Sequence, residues 1–200
     1  MFRISQFMQE IAQQTPLAAK RQPPGPVVIW NLIRRCNLTC KHCYSISADK
    51  DFAGELSAEE IFATMDDLKR FRVPVLILSG GEPLLHPDIF EISRRAKGMG
   101  FYVGLSSNGP LIDESNIEHI AAAGYDYVGV SLDGIQKTHD EFRRMAGAFD
   151  KSMHGIRLCK ERGIKVGIRF TLTQDNAHDL PNLLRLMEDE GLDKFYLSHL

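Results

Sequence analysis

The stretch VPVLILSGGEPLLHPDIFEISRRAKGMGFYVGLSSNG, residues 73–109, reads as one complete β–α–β unit. Val75–Ser79 is a short, apolar, β-branched run, which suits a strand of a parallel sheet buried on both faces. A Gly-Gly-Glu-Pro turn follows, then helical periodicity over residues 88–99. Gly100 ends that pattern and leads into a second strand, Tyr102–Ser106.

The same alternation runs outward in both directions. Strands are expected at Val27–Leu32, Tyr127–Leu132, Lys165–Thr171 and Phe195–Ser198. Helices are expected at 57–72, 113–123, 150–162 and 179–190, with a shorter one at 136–145. Gly124, Gly163 and Gly191 act as helix stops. Ser57 and Glu60 have capping-box spacing, and Asp113 and Asp179 are candidate N-caps. Repeated βα units imply right-handed crossovers. Six of them fit a partial (β/α)6 barrel of parallel strands better than a closed eight-fold one. Residues 1–26 are an N-terminal extension with a Pro-rich linker, Arg21 to Pro26, and residues 27–200 form the core. The last strand has no helix after it, so a chain truncated at its C-terminal side is expected.

Composition narrows the function classes. The chain has 200 residues, 44% hydrophobic and 25% charged, with net charge −2, so neither nucleic acid nor a membrane surface is favoured electrostatically. No apolar run approaches the roughly 18 residues of a spanning helix, and the N-terminus lacks a signal-peptide h-region. The expected address is the cytoplasm, where thiols stay reduced.

Three of the four cysteines, Cys36, Cys40 and Cys43, fall within eight residues after the first strand. In a reducing compartment such a cluster points to metal rather than disulfides. Three thiolates on one loop can hold a cubane iron–sulfur cluster with one iron open to another ligand. A zinc site completed by His42 or Cys159 is the alternative. Arg34 and Arg35 are candidates to offset cluster charge, or are simply solvated. Gly80 and Gly81 let backbone approach a ligand closely, and Glu82 is placed to accept from an ammonium group. Cys159 recurs with Met153 and Ile156 on one helical face and reads as core, as do Phe62, Phe71 and Phe90. His119, His154 and His178 read as surface or capping residues.

C-x3-C-x2-C after the first strand and Gly-Gly-Glu-Pro after the second closely resemble the radical S-adenosylmethionine superfamily over about residues 27–200. The resemblance implies that Cys36, Cys40 and Cys43 bind a [4Fe–4S] cluster. It also implies that S-adenosylmethionine chelates the open iron and is held by Gly80, Gly81 and Glu82. Reductive cleavage of the sulfonium would give a 5′-deoxyadenosyl radical that takes hydrogen from substrate. Ser106-Ser107-Asn108-Gly109 resembles the family's Thr-Asn-Gly turn. Ser131-Leu132-Asp133-Gly134 and His139-Asp140-x-x-Arg143 resemble the segment beside the cofactor's ribose and carboxylate, with Arg143 as carboxylate partner. Asn108, Asp133 and Arg169 are further cofactor contacts by the same likeness. Where the family often has an aromatic residue before the third cysteine, this chain has His42, so His42 or Tyr44 would meet the adenine.

More narrowly, residues 26–32, the cysteine loop and Phe71-Arg72-Val73-Pro74 resemble the radical proteins of heme d1 biosynthesis. That likeness implies a siroheme-derived tetrapyrrole substrate, propionate side-chain removal, and an electron donor such as a flavodoxin or ferredoxin. A decarboxylase of the alternative heme route, a peptide-modifying maturase and a non-catalytic iron–sulfur carrier are the competing readings.

Overall fold

The computed structural model describes residues 2–3 and 25–199. The N-terminal extension and most of the Pro-rich linker lie outside them. Seven strands form one sheet: β1 (Phe2–Arg3), β2 (Val27–Ile33), β3 (Val75–Gly80), β4 (Tyr102–Ser107), β5 (Tyr127–Ser131), β6 (Val166–Leu172) and β7 (Lys194–His199). The order is β1-β7-β6-β5-β4-β3-β2, and β2 to β7 are parallel to their neighbours. A strictly sequential parallel order with right-handed crossovers sends every helix to the same face. The other face is thereby left to curve inward, which is the expected partial barrel.

The helices are α1 (Ala58–Arg70), α2 (Ile89–Gly98), α3 (Ile117–Ala123), α4 (Lys137–Arg143), α5 (Ala148–Glu161) and α6 (Leu180–Asp189). Each of the longer ones buries one stripe at helical spacing. Ile61 and Met65 of α1, Ile89, Ile92 and Ala96 of α2, and Met153, Ile156 and Cys159 of α5 are all core residues. They pack on Leu76, Leu78, Val103, Val128, Val130, Val166, Ile168 and Phe170 of the sheet. Cys159 is therefore the core residue its spacing indicates. The Ser57–Glu60 capping box forms as expected, with both reciprocal hydrogen bonds.

Several local expectations are corrected. The strands are not buried on both faces: Val27 is 58% and Ile29 49% exposed on the inner side. Phe71 is 74% exposed because α1 ends at Arg70 and turns the ring outward. Asp113 does not cap α3, whose N-cap is Asn116; Asp113 instead accepts from Ser115 N at 2.9 Å. Asp179 stands at the N-cap of α6 without a capping bond, and its carboxylate accepts from Ile135 N at 2.9 Å and Asn182 Nδ2 at 3.1 Å. A pairing outside the expectations lies at the sheet's edge, where β1 runs antiparallel to β7 through Phe2–Leu197 and Arg3–Tyr196.

Candidate active site

The C-terminal ends of the strands surround a cavity of about 430 Å³. Cys36, Cys40 and Cys43 line it with Gly80 and Gly81, Arg143 lies against Cys40, and Ser131, Arg169 and Thr171 line it from β5 and β6. Residues from six consecutive strand ends, β2 to β7, meet at one place, as the βα register requires. Ser106, Asn108, His42 and Tyr44 complete the contour; no Asp or Glu is among the lining residues.

The cysteine loop has no regular structure beyond its stem. Its stem is anchored by the Arg35–Ala48 bridge and by Cys36 N donating to Ala48 O at 3.1 Å. Lys41 N donates to Phe142 O at 2.9 Å, which ties the loop's middle to α4. Arg34 and Arg35 point away from the sulfurs. Arg35 pairs with Asp49 at 2.9 Å, and Arg34 lies over the Phe52 ring at 4.3 Å. The donors that do reach sulfur come from elsewhere: Arg143 Nη1 to Cys40 at 3.4 Å, Leu38 N to Cys36 at 3.4 Å, and Asn108 Nδ2 to Cys36 at 3.6 Å. Burial pushes the Cys36 thiol up to about 11, and the Leu38 and Asn108 donors oppose the rise.

Gly80 and Gly81 owe their identity to that loop. A Cβ on Gly80 would sit 2.4 Å from Ile33 O, and one on Gly81 2.3 Å from Arg35 O. The approach is held by Gly81 N to Ile33 O at 2.6 Å and Glu82 N to Arg35 O at 2.9 Å. The two glycines thus lock the turn after β3 onto the strand that delivers Cys36.

Glu82 and Asp133 lie beneath the lining rather than in it. Glu82 is fully buried and accepts from Ser107 Oγ at 3.0 Å, Leu84 N at 3.1 Å and Asn108 N at 2.7 Å. Burial raises its pKa to about 7, against the pull of those donors. Through these bonds Glu82 supports the turns after β3 and β4. Asp133 accepts from Thr171 N at 3.0 Å and pairs with Arg143, and His42 Nε2 lies 3.3 Å away. Arg143 does line the cavity, with one arm on Asp133 and the other on Cys40.

The adenine question takes a shape. His42 packs on Phe142 with ring centroids 5.5 Å apart, and burial lowers its pKa. Tyr44 stands at the rim, 75% exposed, its hydroxyl donating to Asn31 at 3.3 Å. His42 is thus committed inward while Tyr44 keeps a ring face available. Of the two residues named for the zinc alternative, Cys159 is in the core, while His42 lines the cavity with its Nε2 3.3 Å from Asp133. Among the described residues, no three His, Cys, Asp or Glu side chains gather about a point where one ion could sit.

Sequence reading passed over the supports. His139 is fully buried, its Nδ1 accepts from Asp133 N at 3.0 Å, and burial lowers its pKa to about 3. Asn176, also fully buried, donates to Asp133 O at 3.1 Å and Thr171 O at 2.9 Å. Asn37 accepts from Asn108 at 2.8 Å. No motif marks Asn37 or Asn176. His139 sits in a quoted motif, yet nothing in it says that the ring is buried.

A family model described as the Radical SAM superfamily matches residues 30–187. The chain belongs to the radical SAM superfamily. It is 53% identical over 200 residues to pre-heme d1 synthase of Dinoroseobacter shibae, covering 100% of this chain and 50% of that protein. It is 46% identical over 175 residues to Fe-coproporphyrin III synthase of Methanosarcina barkeri, covering 88% of this chain and 44% of that one. Streptococcus suis SuiB bound to S-adenosylmethionine shares the fold, with TM-score 0.74 at 17% identity over 98% of this chain and 52% of that one. The chain therefore spans about half the length of the curated radical SAM relatives it matches. No helix among the described residues is long and apolar enough to cross a membrane.

Proposed function

We propose that this chain is the catalytic core of a radical SAM enzyme acting on a propionate-bearing, siroheme-derived tetrapyrrole in heme d1 biosynthesis. The observation that carries the proposal is the single cavity onto which Cys36, Cys40, Cys43, Gly80, Gly81, Ser131 and Arg143 all open. The donor set fits a [4Fe–4S] cluster on the three thiols, because N–H groups of Leu38, Asn108 and Arg143 already aim at sulfur and would offset its negative charge. Asn108 Oδ1, His42 Nδ1 and Arg143 Nε are buried there without a hydrogen-bond partner among the described residues, as expected of a site completed by other groups. When bound, the cluster supplies the electron that cleaves S-adenosylmethionine to a 5′-deoxyadenosyl radical.

The protein's own work is orientation and exclusion of water. Gly80, Gly81 and Ser131 present polar groups to the amino-acid end and ribose, Arg143 meets the carboxylate, and Tyr44 stacks on the base. Glu82 and Asp133 hold these residues from behind. The substrate class follows from the two synthases named above, and a flavodoxin or ferredoxin in the cytoplasm would supply the electron.

Anaerobic reconstitution with iron and sulfide, followed by reductant and S-adenosylmethionine, tests the reading. Release of 5′-deoxyadenosine, increased by adding a propionate-bearing tetrapyrrole, is expected. A reconstituted cluster that cleaves nothing with either addition would make the chain an iron–sulfur carrier.

A further inference from the structure

A second cavity, about 800 Å³, lies deeper along the inner face of the sheet, and Ile29 and Arg169 line both it and the first. Arg169 starts on β6, opposite Ser131 of β5 and Tyr196 of β7. Its stem crosses β5 over Gly129, where a Cβ would come 2.8 Å from Arg169 Cδ. Its guanidinium reaches Ser106 on β4. The glycine therefore lets a side chain from β6 lie flat across the floor between the cavities.

This guanidinium lacks what Arg143 has. Arg143 is neutralised by Asp133, whereas among the described residues no carboxylate pairs with Arg169 and Ser106 is its hydrogen-bond partner. Burial lowers its pKa, and its principal electrical neighbours are Tyr127, Tyr44, Tyr196 and Arg143. The surroundings share the imbalance. At the first cavity Asp133 answers Arg143 from behind the lining, and at the second Asp193 is the one acid among the described lining residues beside Lys165, Arg169 and Lys194. A half-buried guanidinium without a counter-ion is poorly compensated until an anion reaches it. A carboxylate matches its fork through parallel hydrogen bonds.

We infer that Arg169 binds a carboxylate of the substrate where the two cavities meet, and so sets which part of the substrate faces the cysteines. The inference rests on the proposed radical SAM reading. Two molecules bring carboxylates here, S-adenosylmethionine and the substrate. Arg143 stands beside Cys40, on the cofactor's side, while Arg169 shares its wall with the deeper cavity that a second molecule would fill.

Equilibrium dialysis of the full chain, anaerobically reconstituted, against metal-free coproporphyrin and separately against S-adenosylmethionine separates the sources. Arg169→Gln should weaken coproporphyrin binding by roughly tenfold or more and change S-adenosylmethionine binding by less than about twofold. Arg169→Lys should fall between, because it keeps the charge and loses the fork. Should Arg169→Gln fail to fold, the lysine variant carries the test alone, with the same selective weakening expected. Unchanged coproporphyrin binding in the folded variants overturns the inference, and so does a loss confined to S-adenosylmethionine. Absence of 5′-deoxyadenosine from the unmutated chain would instead defeat the functional reading, leaving the binding contrast to judge Arg169 by itself.

Discussion

The two sides of the candidate active site are made differently. On the cysteine side, residues 36–47 run without helix or strand, Tyr44 and Ile46 are 75% and 82% exposed, and the charged pairs nearby are solvated. Beneath and opposite, Glu82, Asp133 and His139 are fully buried and every one of them bonds to backbone. A buried polar network of this kind has one good arrangement, because any unmade bond costs about 1–3 kcal/mol. The loop is held at fewer points, chiefly Cys36 N on Ala48 O and Lys41 N on Phe142 O. One side is set by folding, and the other is where the proposed cluster would sit.

The largest effect expected from breaking this contrast falls on the loop, and on function rather than stability. Cys40→Ala should abolish the site-specific cluster and all cofactor cleavage, while Cys159→Ala should leave both intact; iron content and 5′-deoxyadenosine release read the difference. Retained cleavage in the first, or cluster loss in the second, contradicts the ligand assignment. Next comes the buried side, where the damage should be to stability. Asp133→Asn strands the Arg143 guanidinium and should cost about 3 kcal/mol, seen as a drop of roughly 6–12 °C in Tm. Asp49→Asn, which removes the exposed partner of Arg35, should leave Tm unchanged. Equal shifts in the two variants would erase the distinction between the sides.

The same contrast decides what could be read without coordinates. All six parallel strands and their helices were legible, because continuous apolar strands and glycine stops record burial by helices along the chain. The three cysteines and two glycines were legible because their spacing is local. The partners of Glu82 and Asp133 were not. Ser107 and Asn108 lie on another strand end, and Thr171 and Asn176 on yet another, so their convergence is a product of sheet order. Phe71 was misread because one residue of helix length decides whether its ring faces the core. The inner-face exposure of Val27 and Ile29 was missed because an apolar run looks the same whether it meets a helix or a cavity.

The smallest effect sharpens the comparison most, since it asks whether the buried side acts as one unit in pH as well as in packing. Glu82 has its pKa raised from the ordinary 4.5 to about 7 by burial. Its contribution to stability is complete below about 4.5 and is lost as pH rises through 7. His139 has its pKa lowered from 6.5 to about 3, again by burial. Its contribution is complete above 6.5 and is lost as pH falls toward 3. Between about 4.5 and 6.5 the folded chain holds a proton on Glu82 that the unfolded chain releases, and withholds one from His139 that the unfolded chain takes up. The two slopes, each about 1.4 kcal/mol per pH unit, then cancel. Urea unfolding of the metal-free chain across that window should give nearly constant stability from this pair. Glu82→Gln should uncover a loss of stability on acidification. His139→Gln, whose amide oxygen can still accept from Asp133 N, should uncover a gain. Parallel slopes in the two variants would mean that the two groups do not titrate against each other, and that the buried side is rigid in geometry alone.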